Sequence, residues 1–223
     1  VENYVNFIRR AARSFVETVD PRDRVSIVIF NEDVKVLSTF TTDKGLLSKS
    51  LDTFDAGGGT AYYDALAYVI SDTIRPLRGE RSAIVVLTDG DDNRSFLPFD
   101  SLEGSIQESG ALIYPLYVPS ALIAAAVQNP NADIDPVRRK YMSLTAKAEG
   151  EGDRLAKISG GVYYPITEIS QIQKAYEDIV DQLRTAYSVT YRSDSSATSP
   201  IRLKIRSKRE NTFATVTSVV ASQ

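Results

Sequence analysis

Residues 83–95 read AIVVLTDGDDNRS. Ala83 to Leu87 is a short unbroken apolar run, the pattern of a central parallel strand covered on both faces. It runs straight into Thr88-Asp89-Gly90-Asp91-Asp92. Sheets built of alternating strands and helices bind ligands where strand C-termini meet loops, at the point where strand order reverses. A site in this chain is therefore expected to include the Asp89 loop.

The flanking sequence supports such a sheet. Val1, Tyr4, Val5, Ile8, Ala11, Ala12, Phe15 and Val19 recur at helical steps, and Pro21-Arg22-Asp23 ends that helix. Arg24 to Phe30 (RVSIVIF) predicts a covered strand. Asn31-Glu32-Asp33 predicts a tight turn, and Val34 to Phe40 a second strand antiparallel to the first, because so short a link cannot hold a crossover. Thr42 or Asp43 can cap a helix carrying Leu46, Leu47 and Leu51. After Gly57-Gly58-Gly59-Thr60, a helix is expected to bury Leu66, Val69, Ile70 and Ile74.

Beyond the Asp89 loop, Asp100-Ser-Leu-Glu103 has the form of a capping box and Gly110 is placed to end the helix it opens. Ala111 to Val118 predicts another buried strand. Residues 119–152 read as an insertion, irregular around Asn129-Pro130-Asn131 and solvated over the charged Arg138 to Gly152 stretch. Leu155 to Ile158 predicts a helix end and Val162 to Pro165 a short strand. Ile169, Ile172, Tyr176, Ile179 and Leu183 mark a periodic helix. Tyr187-Val189-Tyr191, Ile201-Leu203-Ile205 and Phe213-Val216-Val219 then alternate as strands do. The division expected is an α/β domain over residues 1–185 and a β-rich extension over 186–223.

Composition narrows the chemistry. The chain is 43% hydrophobic and 25% charged, in the range of ordinary globular domains, and carries a formal charge of −3. That charge argues against nucleic acid as the main partner, since phosphate binding rests on clustered Lys and Arg. The basic Arg202 to Arg209 stretch alternates with apolar residues, as a strand with a charged face does. There is no cysteine and no histidine, which excludes thiolate sites and every Ser-His-Asp or Cys-His arrangement. No apolar run is long enough to span a membrane, and no signal peptide is recognisable in these residues.

Asp89, Asp91 and Asp92 form the densest acid cluster. Packed carboxylates repel, and a hard cation relieves that repulsion. The other reading is a polar turn that caps the following helix. Asp89 is the favoured ligand because it lies nearest the strand end. In Gly57 to Thr60, glycines let backbone approach a ligand closely and Thr60 offers a neutral hydroxyl oxygen suited to Mg²⁺. Thr60 could equally be an N-cap. Asp64, one turn into the helix, complements the helix dipole or hydrogen-bonds to the loops. Of Tyr62, Tyr63 and Tyr68 at least some are expected to face the core; Tyr62 or Tyr63, near the glycine loop, could contact a partner, with packing as the other reading.

The ordered phrases AARSFVETVDPRDRVSIVIFNEDVKVLSTFT, GGGTAYYDAL, AIVVLTDGDDNRS and LAKISGGVYY resemble von Willebrand factor type A domains, over roughly residues 1–192. The nearest resemblance is to a bacterial subgroup with a β-rich tail like LRTAYSVTYRS. It implies a doubly wound, mostly parallel sheet with one antiparallel edge strand. It also implies a metal-ion-dependent adhesion site, in which a divalent cation, usually Mg²⁺ with Ca²⁺ or Mn²⁺ as alternatives, bridges the domain to a partner's Asp or Glu. Thr60 matches the second metal loop and Asp89 the third. Gly58, Gly59 and Gly90 would let the loops close, with Asp64, Asp91 and Asp92 in support.

The first metal loop, Asp-x-Ser-x-Ser after the first and most central strand, has no match anywhere in the chain. The resemblance thus implies a strand supplied from elsewhere, by upstream residues, by another chain or by a swapped segment. The expectation is a non-catalytic binding or adhesion module, secreted, periplasmic or on a bacterial cell surface. Two alternatives stay open: an assembly subunit that pairs through its sheet edges as a homo-oligomer or with a donated strand, and a hydrolase running on the carboxylates or a metal.

Overall fold

The computed structural model describes residues 2–54, 58–77, 79–119, 136–168, 170–185 and 208; for residues 2–4 and 136–146 it describes the backbone path alone. Helix α1 (Glu2–Thr18) leads into strands β1 (Val25–Phe30) and β2 (Val34–Thr41). Helices α2 (Lys44–Ser50) and α3 (Tyr62–Tyr68) follow, then β3 (Ala83–Thr88), α4 (Glu103–Ser109) and β4 (Leu112–Tyr117). The last described elements are α5 (Pro136–Ser159), β5 (Tyr164–Pro165) and α6 (Ser170–Thr185).

The strands form two sheets among the described residues. β1 and β2 make an antiparallel hairpin with Val28 opposite Val36 and Phe30 opposite Val34. β3, β4 and β5 make a parallel sheet in that order, with Ala83 opposite Leu112 and Leu116 opposite Tyr164. The resemblance implies a doubly wound sheet whose central strand is supplied from elsewhere, and among the described residues the strands fall into an antiparallel pair and a parallel triplet. The reason lies in β1 and β3, each of which is paired along one edge only among the described residues.

Side-chain alternation nevertheless places the two sheets in one layer. Ala83, Val85 and Leu87 of β3 pack with Phe7, Ala11 and Ile8 of α1 and with Tyr176 and Ile179 of α6. Ile27 and Ile29 of β1 pack, together with Ile8 and Ala12 of the same α1, on the cluster of Val5, Leu51 and Phe54. On the opposite face, Phe30 of β1 and Val86 of β3 share a cluster with Tyr62 and Leu66 of α3, Ile106 of α4 and Leu155 of α5. Helices thus cover both faces, as in a doubly wound α/β domain. β1 is wholly apolar apart from Ser26, yet every residue of it is only half-buried, whereas all six of β4 are buried. An unpaired edge leaves the strand's flank open to water.

Local chemistry explains most boundaries. Asp43 caps α2, its carboxylate accepting the Leu46 N–H at 3.0 Å. Leu47 and Leu51 are buried, but Leu46 is 56% exposed, because a two-turn helix turns only one stripe inward. After Tyr68 the expected helix continues as a π turn (Val69–Ile74) and a 3-10 turn (Arg75–Leu77). The capping box at Asp100 does not form. Phe99–Leu102 is a 3-10 turn, and the carboxylates of Asp100 and Glu103 both pair with Arg154 of α5. Gly110 ends α4 with φ +66°.

The charged 138–152 stretch is not irregular. It is the first part of α5, whose exposed Lys147 and Glu149 alternate with buried Ala148 and Gly152, so it is amphipathic rather than a solvated loop. The expected strand at Val162 is confined to Tyr164–Pro165. Residues 120–135 of the expected insertion, and the 186–223 extension apart from exposed Lys208, lie outside the described residues.

Candidate functional site

The two loops singled out in the sequence meet. The Thr60 carbonyl accepts the N–H groups of Asn93 (3.0 Å) and Arg94 (3.1 Å), and the Thr60 N–H donates to Asn93 Oδ1 at 2.9 Å. The following turn is fastened to α3: Tyr63 N–H donates to Asp92 Oδ2 and to Ser95 Oγ, both at 3.0 Å. Ser95 in turn donates its hydroxyl to Asp92 Oδ2 at 2.6 Å and its N–H to Asp92 Oδ1 at 3.1 Å. The β1–β2 turn closes the other side. Ala61 N–H donates to the Asn31 carbonyl at 2.7 Å, and Gly59 N–H to Glu32 Oε1 at 2.9 Å.

Thr60 is not an N-cap. Ala61 holds that position in α3 and makes no side-chain capping bond. Asp89 lies at the C-terminus of β3, half-buried, and accepts the Asp91 N–H at 3.3 Å. Beside it Gly90 adopts φ +73°, and a Cβ there would lie 2.6 Å from Ala148 of α5 and from Tyr117 of β4. Only glycine meets both demands. Helix α5 thus lies against the Asp89 loop, fixed further by the Tyr63 hydroxyl donating to Glu151. Burial first, and then Glu151, hold Tyr62 and Tyr63 protonated far above the ordinary tyrosine range.

The supporting residues divide. Gly58 and Gly59 flank Thr60 as expected, while Gly57 lies outside the described residues. Asp92 is a structural acceptor bound to Tyr63 and Ser95. Asp64 accepts the N–H groups of Phe96 (2.9 Å) and Leu97 (3.0 Å), so of its two expected roles it takes the loop bond. Tyr62 and Tyr63 are buried at 5% and 7% exposure, which makes them packing residues. Glu32, Asn93 and Ser95 were not singled out in the sequence. Their bonds span 27 to 33 residues and leave no local period to read.

Thr60 and Asp89 offer a hydroxyl and a carboxylate, hard oxygen donors of the kind Mg²⁺ takes, but Mg²⁺ wants about six such ligands. Among the described residues no three acidic side chains converge to hold a metal. The pair fits part of a cation site and needs further oxygens to complete it.

A family model for the von Willebrand factor type A domain matches residues 2–91. Calcium-activated chloride channel regulator 1 of Equus caballus is 29% identical over 161 residues, 69% of this chain; the chain spans 17% of that relative's length. Among solved structures, conserved hypothetical protein BatB from Bacteroides thetaiotaomicron superposes with TM-score 0.58 at 18% identity, covering 82% of this chain and 89% of that one. A von Willebrand factor type A protein from Catenulispora acidiphila gives 0.58 at 15% identity, over 81% of this chain and 38% of that one. Proximal thread matrix protein 1 from the mussel byssus, with zinc in its adhesion motif, gives 0.52 at 13% identity, over 82% and 43%. These similarities extend the fold likeness beyond the matched residues.

Proposed function

We propose that this chain, whose residues 2–91 match the von Willebrand factor type A domain, is a protein-interaction module that binds a partner through a divalent cation held at Thr60 and Asp89. The observation that carries this reading is the hydrogen-bonded union of the Thr60 and Asp92–Asn93 loops at the end of β3. It puts a hydroxyl and a carboxylate loop side by side and leaves the Thr60 hydroxyl uncommitted to capping. A cation with few anionic ligands stays electrophilic and accepts an Asp or Glu oxygen from a partner. Mg²⁺ suits the donors best. The zinc-occupied motif of the byssus protein is a fold-level precedent for an ion there.

The module is read as non-catalytic. Asp92 spends its carboxylate on the Tyr63 amide and the Ser95 hydroxyl, which argues against it as one member of an acid–base pair. An envelope or extracellular setting is part of the proposal, supported by a fold neighbour described as an aerotolerance-related membrane protein from Bacteroides fragilis. Among the described residues no helix is long and apolar enough to cross a membrane.

Calorimetric titration of the intact protein with Mg²⁺ and Mn²⁺ tests the reading. Saturable binding that is lost in both Thr60→Ala and Asp89→Ala is expected. Binding unchanged in both variants would overturn it. The assembly reading is favoured by one separate observation, the edges of β1 and β3 that are unpaired among the described residues. A sedimentation series would support it by showing concentration-dependent oligomers independent of metal.

A further inference from the structure

Immediately beyond the candidate site the chain turns an aromatic ring into water. Phe96 is 97% exposed, and Leu97 beside it is 40% exposed. Single exposed apolar side chains are common on folded proteins and need no explanation. The backbone beneath this one sets it apart. Each of the five residues from Asn93 to Leu97 donates its N–H to a partner elsewhere. Asn93 and Arg94 bond to the Thr60 carbonyl, Ser95 to Asp92, and Phe96 and Leu97 to the two oxygens of Asp64. Ser95 Oγ also accepts the Tyr63 and Asp64 N–H groups. A loop held at every amide cannot fold over to bury its ring, so the ring is presented in a fixed place.

That place lies on the loop bonded to Thr60. Phe96 stands two residues beyond Arg94, whose N–H rests on Thr60, so the chain puts it within roughly 7 Å of that contact. The joined loops carry Glu32, Asp89, Asp91 and Asp92 against Arg94, which is itself paired to Glu32 at 3.3 Å. Such a rim repels a bare carboxylate and admits one that a cation bridges. An apolar contact next to it supplies the attraction that the rim does not. Aromatic side chains with fixed backbones serve as interface anchors because little entropy is lost when they seat.

We infer that Phe96, with Leu97, is an apolar anchor of this interface: it enters an apolar pocket on a protein partner, beside the carboxylate offered to the cation. This rests on the cation-dependent reading above.

The test uses the intact protein in Mg²⁺ and a random-peptide display library as the probe. Selected peptides are synthesised and titrated by fluorescence polarisation against the wild type, Phe96→Ala, Phe96→Leu and Asp89→Ala. The expected peptides pair an Asp or Glu with an aromatic or aliphatic residue. Their affinity falls roughly tenfold or more in Phe96→Ala and is partly kept in Phe96→Leu. Because the ring is exposed and the loop is held through backbone, Phe96→Ala should keep the wild-type circular dichroism and thermal midpoint. Mg²⁺-dependent binding that needs the peptide acid but ignores Phe96→Ala overturns the anchor and leaves the cation reading standing. Binding lost in Phe96→Ala but kept in chelator and in Asp89→Ala overturns the cation reading, and with it the shared interface. A library without binders, or a dimer that Phe96→Asp dissolves, also overturns the assignment.

Discussion

The ring of Phe30 lies stacked on that of Tyr62, centroids 5.7 Å apart and planes 24° from parallel. Phe30 is the last residue of β1 and Tyr62 the first of α3, so this contact ties the hairpin to the helical layer that covers β3. With Ile8 of α1, which packs against both sheets, it keeps β1 and β3 in one layer although no backbone ladder joins them.

Tyr62 therefore acts through its ring and not through its hydroxyl. The Tyr62 Oη is buried and has no hydrogen-bond partner among the described residues. An unpaired buried hydroxyl is a cost, so Tyr62→Phe is expected to leave stability unchanged or raise it by about 1 kcal/mol. Tyr62→Ala removes the stacked ring and should cost about 3–5 kcal/mol. Urea denaturation of the two variants decides. A loss in Tyr62→Phe as large as that in Tyr62→Ala would show that the hydroxyl, not the ring, is what matters.

How far the sequence carried these features depends on how local their physics is. The strand AIVVL and the motif order around Thr60 and Asp89 were legible because apolar runs and glycine turns are short-range signals. Helix α5 was not, since Arg138 to Gly152 is charged and holds two glycines while its buried stripe rests on Ala148, Ala156 and Leu155. Phe7 and Val16 escaped the helical pattern of α1 for a related reason. That helix faces two clusters, Val5 turning to the hairpin side and Phe7 to the parallel sheet, so its apolar surface is wider than one stripe. The loop lock at the site rests on side chains such as Asn93 and Glu32 bonding to distant backbone, which no periodicity reveals.

The turn after α5 should be unusually intolerant. The buried Ser159 Oγ accepts the Ile113 N–H at 3.0 Å and donates to the Ala156 carbonyl at 3.1 Å, closing the flank of β4. Removing it in Ser159→Ala orphans a buried amide and should cost about 1–3 kcal/mol. At Gly161 a Cβ would stand 1.9 Å from the Ile113 carbonyl oxygen, a backbone atom that cannot swing away. Gly161→Ala is expected to be the worse of the two by urea denaturation. Equal stability of Gly161→Ala and wild type would mean that this close approach is absent in solution.

Alkaline pH should unfold the protein through its buried tyrosines. Burial pushes Tyr114 up to about 12 from an ordinary value of 10.0. Burial, followed by bonds to Glu151 and Asp178 respectively, pushes Tyr63 and Tyr164 higher still. A folded value above the unfolded one means stability that is complete below pH 10 and drains away as pH rises through the folded values. Tyrosinate absorbance is expected to lag on raising the pH and then to rise together with loss of near-ultraviolet circular dichroism. Full ionisation near pH 10 with the fold intact would contradict it.

The edges of β1 and β3 that are unpaired among the described residues give the last expectation, and it separates binding from assembly. Amides that point into a sheet ladder exchange only by opening it, whereas amides on a bare edge exchange almost freely. β4 is flanked by β3 on one side and by Ser159 and β5 on the other, so its amides should be the slowest in the molecule. Alternate amides of Val25–Phe30 and Ala83–Thr88, those turned away from β2 and β4, have no strand partner among the described residues and are expected to exchange fast where no strand is added. A strand seated between the two edges would slow both sets together, because one added strand pairs with β1 on one side and β3 on the other. If that protection appears only as protein concentration rises, the strand comes from a second chain and assembly is the function of these edges. If it appears in a monomer lengthened upstream of residue 1 and stays independent of concentration, the strand is the domain's own. The edges are then ordinary interior, and recognition falls to the Thr60–Asp89 face.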